Sequence, residues 1–420
     1  MLLAEGKTKR IWEAGQGQVI VESKNDLTAG DGAKHDVIAG KAAFSNQTNA
    51  NVFRLLKACG LPVAFVEELD ETRFRAEQCA MIPYEVVVRR EAHGSFLKRH
   101  PELSKGHVFP RLLVEFFLKT SGKRWNDAVL PVDDPLVRFD GNRALLLRPD
   151  QPIHQQTPFL ELSDFLLRDP IDDRRNEMAR IAAKTFMVLE KAWQLLGGRL
   201  VDFKVEFGMS ARGELRLADV IDNDSWRVVE NDAYIDKQLY RDGAGLNAVT
   251  DAYRRVAALT SMFALPRQQL VLWRASFGDD VKPFEQELNI YGDHLSCTVN
   301  IVTCSLHKEP VRAYQELAEL LRQIPDTVVI AYVGRSNGAG PTLSAQASVP
   351  VITVPATWRE FPQDVWSSLR TPSETPVLTV LEPKNAVLAA LQILAMRNPT
   401  LYAELRMRQE ERLCNIGRIS

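Results

Sequence analysis

From Val201 to Phe207 apolar and polar residues alternate strictly, so Val201, Phe203, Val205 and Phe207 share one face of a strand and Asp202, Lys204 and Glu206 the other. A return strand is expected from Leu215 to about Ile221, and a turn centred on Arg212-Gly213 sets Glu206 opposite Asp219. Upstream, Met178, Ile181, Ala182, Phe186, Leu189, Trp193 and Leu196 recur at three- and four-residue steps. They predict an amphipathic helix over Arg174–Leu196 that Gly197-Gly198 ends. Helical signals run again from Gly245 to Phe263, and Leu265-Pro266-Arg267 breaks them.

Beyond this point the pattern changes. Continuous apolar runs at Gln269–Trp273, Thr298–Thr303, Thr327–Val333, Val349–Val354 and Val377–Leu381 are separated by helical patterns, and helices over Lys384–Met396 and Pro399–Leu413 close the chain. Alternating helices and fully apolar strands predict a doubly wound parallel sheet. The expected organisation is an α+β domain over 1–264 followed by an α/β, three-layer domain over 265–420.

The chain has 420 residues, 45% of them hydrophobic and 25% charged, which suits two or three globular domains. A net charge of −2 gives no reason to expect a nucleic-acid or acidic-membrane partner. Five cysteines, odd in number and without CxxC spacing, argue against a disulfide framework and a zinc site, and the start of the chain lacks the apolar core of a signal peptide, so a cytoplasmic location is expected.

Candidate chemistry gathers in a few places. Glu206 and Asp219 are either a solvated polar face or a carboxylate pair for Mg²⁺ and nucleotide phosphates. Gly6, Lys7, Thr8 and Lys9 combine flexible backbone with cations that suit a triphosphate, or form an ordinary basic turn. Lys41 stands at a probable helix start. Arg89 and Arg90 end an apolar strand, where at most one can enter a given pocket, and a turn carrying Ser95 follows. Asp224, Ser225, Arg227, Lys237 and Arg241 add dense charge in loop-like settings. In the second domain the unusual residues follow strand ends, where ligands of open α/β sheets bind: Ser305, His307 and Lys308 after one strand, and Gly334, Arg335, Ser336, Asn337 and Gly338 after the next.

The segments EGKTK, GKAAFSN, IPYEVVVRREAHGSFLKR, VDFKVEFG, LADVIDNDSWR and DKQLYR together resemble SAICAR synthetase, the ATP-dependent ligase of purine synthesis. GRSNGAGP and QDVWSSLRTPS resemble class II phosphoribosylaminoimidazole carboxylase, so the whole chain looks like the animal fusion of the two. The resemblance implies that the first domain joins 4-carboxy-5-aminoimidazole ribonucleotide and L-aspartate at the expense of ATP. Gly6, Lys7, Thr8, Lys9, Lys41 and Glu206 would then serve ATP, and Glu206 and Asp219 would hold Mg²⁺. Arg90, Ser95 and Arg227 would grip the ribonucleotide, with Asp224, Ser225, Lys237 and Arg241 completing the anion-binding region. For the second domain it implies addition of CO₂ to aminoimidazole ribonucleotide without ATP or biotin, with His307 as the acid/base and an octameric assembly.

The chain departs from these patterns in places. Lys119-Thr120-Ser121 replaces an expected lysine–aspartate–aspartate, with Asp127 as the retained acid. In the second domain Arg274 and Glu374 stand where the family has glycines at its phosphate site. An alternative therefore stands beside the bifunctional reading: a monofunctional synthetase whose second domain is kept for assembly.

Overall fold

The computed structural model describes residues 1–29, 34–141, 143–163 and 171–413; Cys414 lies outside them. The chain divides into two compact units, Met1–Ala264 together with the chain from Arg406, and Leu265–Leu405. The end of the last helix, expected within the second domain, thus packs with the first unit. There the buried carboxylate of Glu410 accepts the backbone N–H of Leu112 at 2.9 Å.

Among the described residues the first unit holds two large antiparallel sheets. One runs in the order Leu2–Glu5, Lys9–Gly15, Gln18–Ser23, Arg73–Glu77 and Phe65–Glu68. The other is built on Ala80–Glu91, flanked by Val108–Leu118 and Gly198–Met209. Helix Ile171–Leu195 lies along Gly198–Met209, and its Phe186 meets Phe203 with ring centroids 5.5 Å apart. The alternation along Val201–Phe207 is realised: the four apolar side chains are buried.

The strand Gly198–Met209 has two partners on the same edge. Its end pairs with Leu215–Leu217 and its start with Trp226–Glu230. The return strand is therefore shorter than expected, and 218–225 loops out between the two pairings. The hairpin register also differs by one residue. Phe207 pairs with Leu217, so Glu206 lies beside Ala218, whose N–H donates to the Glu206 carbonyl at 3.1 Å. Across the sheet Glu206 pairs with Glu85. The reason is the turn: Ser210 pairs with Glu214, and its hydroxyl accepts the N–H groups of Arg212 and Glu214, each at 3.2 Å. The loop has three residues rather than two, with Gly213 at φ +75°.

In the second unit five parallel strands run in the order Thr298–Thr303, Gln268–Arg274, Asp326–Val333, Val351–Pro355, Leu378–Thr379. Alternate residues of the first strand feed opposite cores: Leu270 and Leu272 pack with helices Lys282–Asn289 and Pro383–Ala395, and Val271 and Trp273 with Pro310–Gln323 and Ala339–Gln346. This is the three-layer arrangement that continuous apolar strands require.

Candidate active sites

In the first unit a cavity of about 650 Å³ is bounded by the turn Lys7–Lys9, by Lys119–Gly122, by Glu206, and by the looped-out 218–225 segment. Gly6 and Lys9 close the turn, the Gly6 N–H donating to the Lys9 carbonyl at 2.9 Å. Glu206 and Asp219 both reach this cavity despite the shifted register, because the loop carries Asp219 back over the strand. Each is matched by an ammonium: Lys9 pairs with Asp219, and Lys119 lies 3.1 Å from Glu206. Glu85, facing Glu206 across the sheet, is bridged by Lys204 at 2.7 Å and Lys119 at 3.7 Å. Burial alone would raise the Glu85 carboxyl; the two lysines outweigh it and hold it below its usual range. Lys9 is pushed down to about 8 by burial, which Glu206 and Asp222 offset only in part.

Two smaller cavities, each of about 320 Å³, share walls with this one. The first shares Lys9, Glu206 and Asp219 and is largely apolar, walled by Val19, Val21, Phe74, Cys79 and Met81. The second shares Asp134, Lys204, Asp224, Ser225 and Arg241 and adds Arg89, Ser95, Asp202 and Arg227. Asp202 accepts hydrogen bonds from Arg227 at 2.5 Å and Arg89 at 2.6 Å, so both guanidinium groups are fixed at the cavity wall. Gly94, at φ +58°, packs directly against the Arg227 guanidinium, leaving no room for a side chain.

Several predicted residues stand elsewhere. Arg90 points away from these cavities and bonds Glu190 at 2.7 Å, with Glu410 beside it; Arg89 occupies the wall instead. Lys41 is buried below the site, 3.6 Å from Asp224. Lys237 approaches the same carboxylate at 3.3 Å and Tyr253 donates to it at 2.5 Å. Burial would raise Asp224, but Lys41 and Lys237 hold it well below the carboxylate range; burial and Asp224 itself push neighbouring Asp222 up. Asp127 does not line the cavity. Asp133 and Asp134 do, both accepting hydrogen bonds from Thr120.

In the second unit the sheet order has its switch between Gln268–Arg274 and Asp326–Val333. At this carboxyl edge His307 lies with its Nε2 edge against Gly338, where any side chain would collide with the ring. Gly340 is equally confined, by Thr353 and by the Asn337 amide, whose Oδ1 accepts the Gly340 N–H at 2.7 Å. Asn337 in turn donates to the Ser368 hydroxyl at 3.0 Å. Ser305, His307 and Lys308 thus meet the 334–338 loop through His307. Arg335 stacks on Phe361 at 3.4 Å. Arg274 donates to the Thr303 hydroxyl on the neighbouring strand at 2.9 Å and to the Asp279 carbonyl of its own loop at 3.2 Å; no ion pair joins it to Glu374 among the described residues. Glu374 sits at φ +62°, the backbone region that favours the glycine it replaces.

A family profile described as SAICAR synthetase matches residues 2–136 and 158–259, and one described as AIR carboxylase matches 279–413. The probable multifunctional protein ADE2 of Caenorhabditis elegans is 36% identical, over 99% of this chain and 95% of its own. The chain belongs to the bifunctional AIR carboxylase/SAICAR synthetase family. The human bifunctional phosphoribosylaminoimidazole carboxylase/phosphoribosylaminoimidazole succinocarboxamide synthetase is 34% identical over 96% of this chain and 92% of its own. A solved SAICAR synthetase in complex with ADP matches with a TM-score of 0.50 and 27% identity, covering 63% of this chain and 99% of that one.

As a member of this family the chain is a bifunctional enzyme of purine biosynthesis, an ATP-dependent ligase fused to a carboxylase, and the monofunctional alternative is not favoured. The carboxylase match begins at residue 279, within the loop that Arg274 opens. Sequence reasoning missed Arg89, Glu85, Asp133, Asp134 and the apolar cavity. One signal was present: Glu85, Val87 and Arg89 alternate with Arg90 and share a strand face.

Proposed function

We propose that the three adjoining cavities of the ligase unit take, in order, the adenine of ATP, its phosphates, and the carboxylated ribonucleotide with L-aspartate. The observation that carries this reading is the central cavity, where Glu206 and Asp219 stand together with Lys7, Thr8 and Lys9 between the other two cavities. The apolar cavity at one side suits a planar base, and the arginine-walled cavity at the other suits a phosphorylated sugar. The carboxylates of Glu206 and Asp219 are oxygen donors of the kind a hard dication takes, so with Lys119 and Lys9 moved off them they would hold Mg²⁺ there and help neutralise the phosphates.

A carboxylate resists attack by an amine because it lacks a leaving group. Transfer of the γ-phosphoryl group to the ribonucleotide carboxylate makes an acyl phosphate and releases ADP. The aspartate amine then attacks the acyl carbon, phosphate leaves, and the amide remains. Lys7 and Lys9 orient the transferred phosphoryl oxygens, while Arg89, Ser95, Arg227 and Arg241 hold the ribonucleotide so that its carboxylate points to the central cavity. ADP release that requires both L-aspartate and the carboxylated ribonucleotide supports this reading; ADP release without the ribonucleotide overturns it.

In the carboxylase unit His307 takes the C4 proton of aminoimidazole ribonucleotide as CO₂ bonds to that carbon, without biotin. The fixed Asn337 amide and the confined glycines of the 334–340 loop support this reading. Exposed Phe277, Val311, Trp366 and Leu369 favour assembly through this unit, an octamer being the family's form. No helix among the described residues is long and apolar enough to cross a membrane, and a cytosolic location suits this chemistry.

A further inference from the structure

We propose that His100, Glu102 and His154 bind a transition-metal dication of the zinc class, at a site in the ligase unit separate from the cavities described above. One ligating atom from each lies within 4.8 Å of the others. His100 Nδ1 stands 3.0 Å from the Glu102 carboxylate, and the His100 and His154 rings meet edge to face with centroids 6.2 Å apart.

The three ligands are held before any metal arrives. His100 ends the helical turn Phe96–Arg99, its N–H donating to the Phe96 carbonyl at 3.0 Å, and its ring stacks on Phe96 at 4.4 Å and 19°. Glu102 follows on the same turn, closed by the Leu103 N–H donating to the His100 carbonyl at 3.1 Å. His154 comes from a separate short helical turn, Ile153–Gln155. Arg99 already links the two segments, its guanidinium 3.5 Å from the Pro149 carbonyl and its partner Glu115 buried behind it.

Two imidazole nitrogens and one carboxylate oxygen form a three-ligand set that leaves a fourth, tetrahedral position open to water. Nitrogen donors of this kind favour zinc, copper or nickel over magnesium and calcium, which prefer oxygen alone. A bound ion would tie the turn after Ser95 to the 153–155 turn, far along the chain, and so stabilise the folded unit.

The test is titration of the full chain with Zn²⁺ in excess Mg²⁺, which occupies hard oxygen sites, read by competition with a chromophoric chelator and by the thermal midpoint. One tight equivalent per chain and a raised midpoint are expected. His154→Ala, which changes an exposed side chain, should weaken Zn²⁺ at least about tenfold and abolish the midpoint rise. Glu102→Gln and His100→Ala should act in the same direction; if loss of the Phe96 stacking unfolds the His100 variant, the other two carry the test. Unchanged Zn²⁺ affinity in His154→Ala and Glu102→Gln, or displacement of Zn²⁺ by Mg²⁺ at equal concentration, overturns the proposal.

Discussion

The imidazole of His307 fills the space where a side chain on Gly338 would stand, so the histidine and the glycine-rich loop of the carboxylase unit form one surface although a helix and a strand separate them in sequence. Gly338→Ala must push the ring aside. Carboxylation should fall about 10²-fold or more while SAICAR synthesis in the same full-length chain is unchanged, as two separate assays would show. His307→Asn, which keeps much of the shape but not the basicity, should lose carboxylation to a similar extent. Full carboxylase activity in both would remove His307 from the mechanism.

Glu206 and Asp219 are expected to fail in the same way when neutralised. Glu206→Gln and Asp219→Asn should each lower kcat of SAICAR synthesis about 10²- to 10³-fold. In the absence of nucleotide they should also lower stability somewhat, because each leaves a lysine, Lys119 or Lys9, without its opposite charge. Turnover near that of the wild type, measured by ADP release, would sink the assignment.

The ammonium of Lys9, lowered to about 8 by burial, is charged below that pH and neutral above it. A charged Lys9 holds phosphate, so kcat/KM for ATP, which reports the free enzyme, should decline as pH rises through about 8. Lys9→Arg keeps its charge throughout and should flatten this alkaline limb even if its absolute rate is lower. A limb that persists in the arginine variant belongs to another group.

Arg90 and Arg227 offer a direct contrast. Arg90→Ala, which breaks the contacts to Glu190 and Glu410, should lower the thermal midpoint and leave KM for the carboxylated ribonucleotide unchanged. Arg227→Lys, at the wall shared with Asp202 and Gly94, should raise that KM about tenfold or more, because an ammonium cannot replace the guanidinium fork. Steady-state kinetics with the ribonucleotide varied separates the two outcomes.

Much of this protein was legible along the chain. The strict alternation over Val201–Phe207, the helix carrying Phe186 and Trp193, and the continuous apolar strands of the second unit are local patterns, and hydrophobic burial holds them to one answer. The family motifs likewise named the chemistry. Tertiary structure alone decided which side chains meet. A hydroxyl on Ser210 moved the hairpin register by one residue, which placed Glu206 beside Ala218 and against Glu85. Pairing of Arg89 with Asp202 and Glu115, both distant in sequence, put that arginine rather than Arg90 at the cavity wall. Thr120 brought in Asp133 and Asp134 where Asp127 had been expected. For the two strand residues the physical reason is one: side chains of a strand alternate between faces, so a one-residue choice of register or neighbour reverses what each presents. In the loops it is which acid a distant hydroxyl can reach, and in every case the choice rests on partners elsewhere in the chain.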